Sequence, residues 1–80
     1  MKDQIRQIIR EHANLAVDVD SLADDDDLYQ AGMTSHASVN VMIALEDTFG
    51  IEFLDSMLTR GVFESVGSIA AALQEVGVAA

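Results

Sequence analysis

No cysteine occurs in the 80 residues, so neither a disulfide framework nor a thiolate metal site is open to this chain. Proline is also absent and glycine appears only five times, a composition that favours helices over a turn-rich all-β fold. Basic residues are scarce: four Lys and Arg stand against fourteen Asp and Glu, for a net charge of −10. Too few cations remain to neutralise phosphates, which argues against nucleic acid and against an anionic membrane surface as partners. No apolar run approaches the length of a bilayer span. The opening Met1-Lys2-Asp3-Gln4 leads into a mixed polar pattern rather than a signal-peptide core, so the expectation is a soluble, monomeric, cytoplasmic protein. Half of the residues are apolar, enough for one small core, and the length fits a single domain over residues 1–80. The acidity suits partners that present basic patches, and it suits plain solubility equally well.

Periodicity supplies the elements. Ile5, Ile8, Ile9, Ala13 and Leu15 recur at helical spacing among polar residues, which predicts an amphipathic helix over about residues 2–15, with His12 partly exposed near its end. Residues 16–34 have no sustained period. They predict a long connection in which Val17, Val19, Leu22, Leu28, Tyr29 and Met33 plug the core at intervals, with Gly32 at a turn. From Ser35 to about Phe49 a second helix is predicted, with Val39, Met42, Ile43 and Phe49 on its apolar stripe, interrupted by Glu46 and widened by Leu45. Gly50 is placed to end it. Ile51-Glu52-Phe53 looks extended, and Asp55 to about Leu58 predicts a single helical turn. Ser65 is placed to cap a last helix that buries Val66, Ile69, Ala70 and Leu73 and ends near Gly77. The fold class is therefore all-α: a small bundle of three long helices and one short one, with a long loop between the first and second.

Few residues offer chemistry. Asp18 and Asp20 begin the spacing of an EF-hand-like calcium loop, but Leu22 sits where the third ligand belongs. Asp24 to Asp27 are consecutive, so their side chains cannot all converge on one ion. His12 and His36 are the only histidines, and nothing in their spacing supports zinc. No serine lies in a Gly-x-Ser-x-Gly elbow. No catalytic or metal-binding residue is assigned. What remains is Gly32-Met33-Thr34-Ser35-His36-Ala37-Ser38-Val39, where a turn delivers a hydroxyl to the first turn of a helix. On its own, Thr34 or Ser35 there is simply an N-cap.

The surroundings say more. Asp27-Leu28-Tyr29-Gln30-Ala31-Gly32-Met33-Thr34-Ser35-His36-Ala37-Ser38-Val39 resembles the signature of acyl and peptidyl carrier proteins, roughly D-L-[apolar]-x-x-G-x-D-S-L-x-x-V. Ala44-Leu45-Glu46, Phe49, Ile51-Glu52-Phe53 and Phe63-x-Ser65-Val66-x-x-Ile69 resemble later parts of the same pattern, from Ile5 to about Val76 in all. The resemblance implies a four-helix carrier and a 4′-phosphopantetheine arm attached to Ser35 from coenzyme A. It implies a substrate and shuttle rather than an enzyme, whose cargo rides as a thioester. Ser38, one turn later, is the competing attachment site.

The departures from that pattern are also informative. Thr34 stands for the usual Asp, His36 for the usual Leu, Asn40 for an acidic residue of the second helix, and Leu54 for a Pro. The surface expected to meet partners comprises Thr34, His36, Val39, Asn40, Glu46 and Asp47. Its low acidity implies a dedicated partner rather than the general fatty-acid machinery, and the resemblance implies as partners a phosphopantetheinyl transferase, a loading ligase and a downstream acceptor enzyme. The Thr-Ser-His-Ala-Ser stretch resembles stand-alone aminoacyl carriers, loaded by ligases related to class II aminoacyl-tRNA synthetases. A fatty-acid or polyketide carrier is the alternative within the family. An acidic helical interaction module without a prosthetic group is the alternative outside it. Met33, Val39, Met42 and Ile43 are read either as core or as the lining of a cargo cavity.

Overall fold

A computed structural model of the chain describes residues 1–78; Ala79 and Ala80, counted in the domain expected over 1–80, lie outside them. Four helices follow in order: α1 over Lys2–His12, α2 over Ser35–Phe49, α3 over Arg60–Phe63 and α4 over Val66–Glu75. Short 3-10 turns interrupt the connections at Val19–Ser21 and Asp55–Met57. No strand occurs among the described residues. α1 packs against α2 and α4, and α3 leans on α4.

α1 buries Ile5, Ile8 and Ile9 as its spacing predicts, but it is shorter than expected. Asn14 takes φ 58°, a left-handed conformation that stops the helix, so Leu15 packs from a loop instead. α4 opens on a reciprocal serine cap: Ser65 Oγ accepts the Ser68 N–H at 3.0 Å, and Ser68 Oγ accepts the Ser65 N–H at 3.1 Å. Val66, Ile69, Ala70 and Leu73 fill the core as predicted, joined by Ala72. The short helix lies at Arg60–Phe63; the turn expected at 55–58 is 3-10.

The face of α2 differs from expectation. Its buried residues are Ala37, Val41 and Leu45, whereas Val39 is 49% exposed and Ile43 48% exposed. Apolar side chains surround most of this helix, so periodicity offers two stripes and packing selects one. The spacing i, i+4, i+8 from Ala37 faces α1 and the core; the stripe through Val39 and Ile43 faces outward. Helix α2 ends at Gly50, with φ 63°, as its position predicts.

The long loop is stitched down rather than loose. Leu28 and Met33 are buried, and Val19 with them, while Val17 is exposed against expectation. The Leu28 N–H donates to the Glu64 carbonyl at 2.6 Å, and the Gly67 N–H donates to the Asp24 carbonyl at 2.8 Å. That second approach is close: a Cβ on Gly67 would lie 3.2 Å from the Asp24 carbonyl oxygen. The aspartate run also pairs with α1. Lys2 and Arg6 both reach the Asp24 carboxylate at 2.8 Å, and Arg6 also donates to the Val19 carbonyl. These cations hold the Asp24 carboxyl below its usual range, the Lys2 hydrogen bond contributing most and Arg6 next. The loop thereby has a fixed route from α1 to the start of α2.

Candidate functional site

The start of α2 divides labour between two neighbouring hydroxyls. Thr34 is the N-cap: its backbone is extended, and its Oγ1 accepts the Ala37 N–H at 3.0 Å. Ser35 follows as the first helical residue, and its hydroxyl is left exposed with no hydrogen-bond partner among the described residues. The competing hydroxyl, Ser38, turns back and donates to the Ser35 carbonyl at 2.7 Å. The Ser38 N–H donates to the Thr34 carbonyl, and the Ser35 and His36 N–H groups at the positive end of the helix have no partner among the described residues. A group attached at Ser35 Oγ meets donors and a partial positive charge. The buried side chains of Leu28 and Met33 hold the incoming loop and so fix where α2 begins.

Ser35 opens onto a groove of about 320 Å³ between α2 and the segment 58–63. Val39 and Met42 form one wall, Leu58 and Phe63 the other, and Tyr29 and Arg60 complete the lining. Arg60 lies over the Tyr29 ring, its guanidinium carbon 4.1 Å from the ring centroid. The 58–63 wall is braced from beneath: Phe53 and Phe63 meet edge to face at 5.4 Å, and the Phe53 N–H donates to Glu46 Oε2 at 2.9 Å.

The residues expected to meet partners do not form one patch. Val39 shares the groove with Ser35. His36 and Asn40 lie on the other flank of α2, in a depression shared with His12 and Asn14 of the α1 end. Asn40 and Asp47 continue that flank together with Ile43 and Thr48. Thr34 is engaged in capping, and Glu46 in holding Phe53. Of the cavity residues named from sequence, Met33 belongs to the core, Met42 and Val39 line the groove, and Ile43 lines the neighbouring depression with Asn40 and Asp47 instead. Sequence reasoning overlooked Arg60, Tyr29 and Leu58. One signal was available for Arg60: it is the sole cation beyond Arg10.

The aspartates of the loop serve backbone and ion pairs rather than one another. Asp18 accepts the Asp20 N–H, Asp26 the Ala23 N–H and Asp27 the Tyr29 N–H. Among the described residues, no three His, Asp or Glu side chains gather where they could hold a metal ion.

Comparison with known proteins places this geometry. A family model described as a phosphopantetheine attachment site matches residues 3–73. An aminoacyl carrier protein from Agrobacterium fabrum is 44% identical over 69 residues, which span 86% of this chain and 83% of the relative. Among solved structures, the chain superposes with a TM-score of 0.90 and 40% identity on a chain from a crystal structure of an engineered Bradyrhizobium japonicum glycine:[carrier protein] ligase complexed with carrier protein from Agrobacterium tumefaciens and AMP. That match covers 92% of this chain and 99% of the other. A solution structure of an Agrobacterium tumefaciens protein matches with a TM-score of 0.76 and 39% identity, over 95% of this chain and 92% of the other.

Proposed function

The chain belongs to the family of proteins with a phosphopantetheine attachment site, and from that premise we propose that Ser35 carries the arm and that the cargo is a small amino acid loaded by a dedicated ligase. The observation that carries the attachment site is the division of roles at α2: Thr34 caps, Ser38 bonds back to the helix, and the Ser35 hydroxyl is free over a groove. When attached, 4′-phosphopantetheine supplies a thiol on a long tether, on which an acyl group is held as a thioester at high effective concentration for a docked enzyme. The protein has no cysteine, so that thiol has no rival within the chain.

The residues of the chain prepare the site rather than drive the chemistry. The Ser35 Oγ is the nucleophile for coenzyme A. It forms a phosphodiester as the bond within the pyrophosphate breaks and the adenosine bisphosphate departs. The hydroxyl proton goes to a base of the transferase, because no side chain among the described residues is hydrogen-bonded to the Ser35 hydroxyl. The Ser35 and His36 N–H groups and the dipole of α2 would stabilise the phosphodiester charge.

The amino-acid cargo rests on the relatives: one is an aminoacyl carrier, and the other is a carrier complexed with a glycine ligase. The flank of α2 supports a dedicated partner, since His36, Asn40 and Asp47 replace a continuous acidic face with a mixed polar one. Transfer from the loaded arm to a downstream acceptor completes the cycle. The holo protein is to be incubated with a glycine:carrier protein ligase, ATP and radiolabelled glycine. Label on the protein that hydroxylamine releases supports the reading. Charging by malonyl groups from the general fatty-acid machinery, with no labelling by glycine, refutes it.

A further inference from the structure

Three of the four cations in the chain are committed to carboxylates: Lys2 and Arg6 to Asp24, and Arg10 to Asp20, each at 2.8 Å. Arg60 is the exception. Among the described residues no carboxylate pairs with it; it lies instead on the Tyr29 face, 4.1 Å from the centroid. It also lines the same groove as Ser35. In a protein with net charge −10, a guanidinium that pairs with no carboxylate among the described residues and lines the groove of Ser35 has the chemistry of an anion receptor. Its planar fork presents several N–H donors at once, and the ring beneath holds that plane in place.

We propose that Arg60 binds the phosphodiester of the arm attached at Ser35, so that the first part of the arm is anchored in the groove while its far end stays free. The inference rests on the reading of Ser35 as the attachment site. Only the phosphodiester is both anionic and covalently confined to this groove, because the phosphorus is bonded to Ser35 Oγ. The walls beyond it are apolar and exposed, Val39 at 49% and Leu58 at 46%, and suit the uncharged pantetheine that follows. Anchoring shortens the effective tether without removing its reach, which narrows the volume that the loaded thiol searches. Tyr29 acts through Arg60 as a positioning residue.

The test uses the full chain converted to the holo form, with intact mass establishing modification before anything else is measured. In the wild type, the phosphorus-31 resonance of the arm and the Arg60 side-chain N–H resonance are expected to respond to one another's presence. Conversion from apo to holo shifts the Arg60 signal, and rising salt reverses that shift. Arg60→Gln, which leaves an exposed uncharged side chain, moves and narrows the phosphorus resonance. Arg60→Lys retains part of the effect, and Tyr29→Leu weakens it with Arg60 intact. A phosphorus resonance unchanged in fully modified Arg60→Gln overturns the proposal while leaving the attachment site standing. Slower loading by the ligase with that same unchanged resonance also overturns it, and assigns Arg60 to the partner surface instead. No mass gain in the wild type overturns the attachment reading and this inference together.

Discussion

Val39 and Val41 offer a matched pair on one helix. Val41 is fully buried among Ala37, Leu45 and the core, while Val39, two residues away, is 49% exposed beside Ser35. Replacement by Ala removes the same two γ-methyl groups at each position. At Val41 the lost burial, at about 0.8 kcal/mol per methyl plus a cavity contribution, comes to about 2 kcal/mol. Alanine recovers about 0.5 kcal/mol of helix propensity at both sites, which leaves a net cost near 1.5 kcal/mol for Val41→Ala and near zero for Val39→Ala. In a domain of this size 1 kcal/mol moves Tm by about 4–8 °C. Val41→Ala therefore lowers Tm by about 6–12 °C, whereas Val39→Ala moves it by about 2 °C or less. Calorimetry or circular dichroism on the three proteins decides it. Equal shifts, or a larger one for Val39→Ala, would show that α2 is turned the other way. Ser35 lies four residues before Val39, so such a result would also turn the proposed attachment hydroxyl away from the groove.

Two further perturbations test the supports of the site. Thr34→Ala removes the α2 cap and costs about 1 kcal/mol in urea unfolding, while Thr34→Asp keeps the cap and most of the stability; indifference to both would mean that Thr34 does not cap. Asp24 is paired in the folded state, so its carboxyl titrates below the ordinary value of 3.8, chiefly because of Lys2 and then Arg6. Its contribution is fully present above that ordinary value and disappears as pH falls through the lowered folded value. The stability gap between wild type and Asp24→Asn accordingly closes in that acid window and shrinks with salt, and a gap constant from neutral pH to pH 3 contradicts the pairing.

Local signals were the legible ones. The Ser65 cap, the left-handed Gly50 and the core positions of α4 follow from short patterns whose physics is contained within a turn or two. The face of α2 was not legible, because Val39, Val41, Met42, Ile43, Ala44 and Leu45 leave no polar side wide enough to choose between two stripes. Which one is buried depends on where Ile5 and Ile9 of α1 arrive, a tertiary fact. The role of Asp24 was hidden in a run of four aspartates, although Lys2, Arg6 and Arg10 recur at i, i+4 and i+8 and form a cationic stripe opposite the acidic loop. At the site, the pattern around Ser35 named the residue, but not that Thr34 would free its hydroxyl or that Ser38 would bond back. The stack of Arg60 on Tyr29 joins residues 31 positions apart and left no local trace.

The central claim is that the Ser35 hydroxyl, and not that of Ser38, receives the arm. The apo protein incubated with coenzyme A and a broad-specificity phosphopantetheinyl transferase, then weighed intact, tests it most directly. A gain of one phosphopantetheine in wild type and Ser38→Ala, absent from a folded Ser35→Ala, is the predicted result. A gain that survives in Ser35→Ala and is lost in Ser38→Ala, or no gain in the folded wild type, would contradict it.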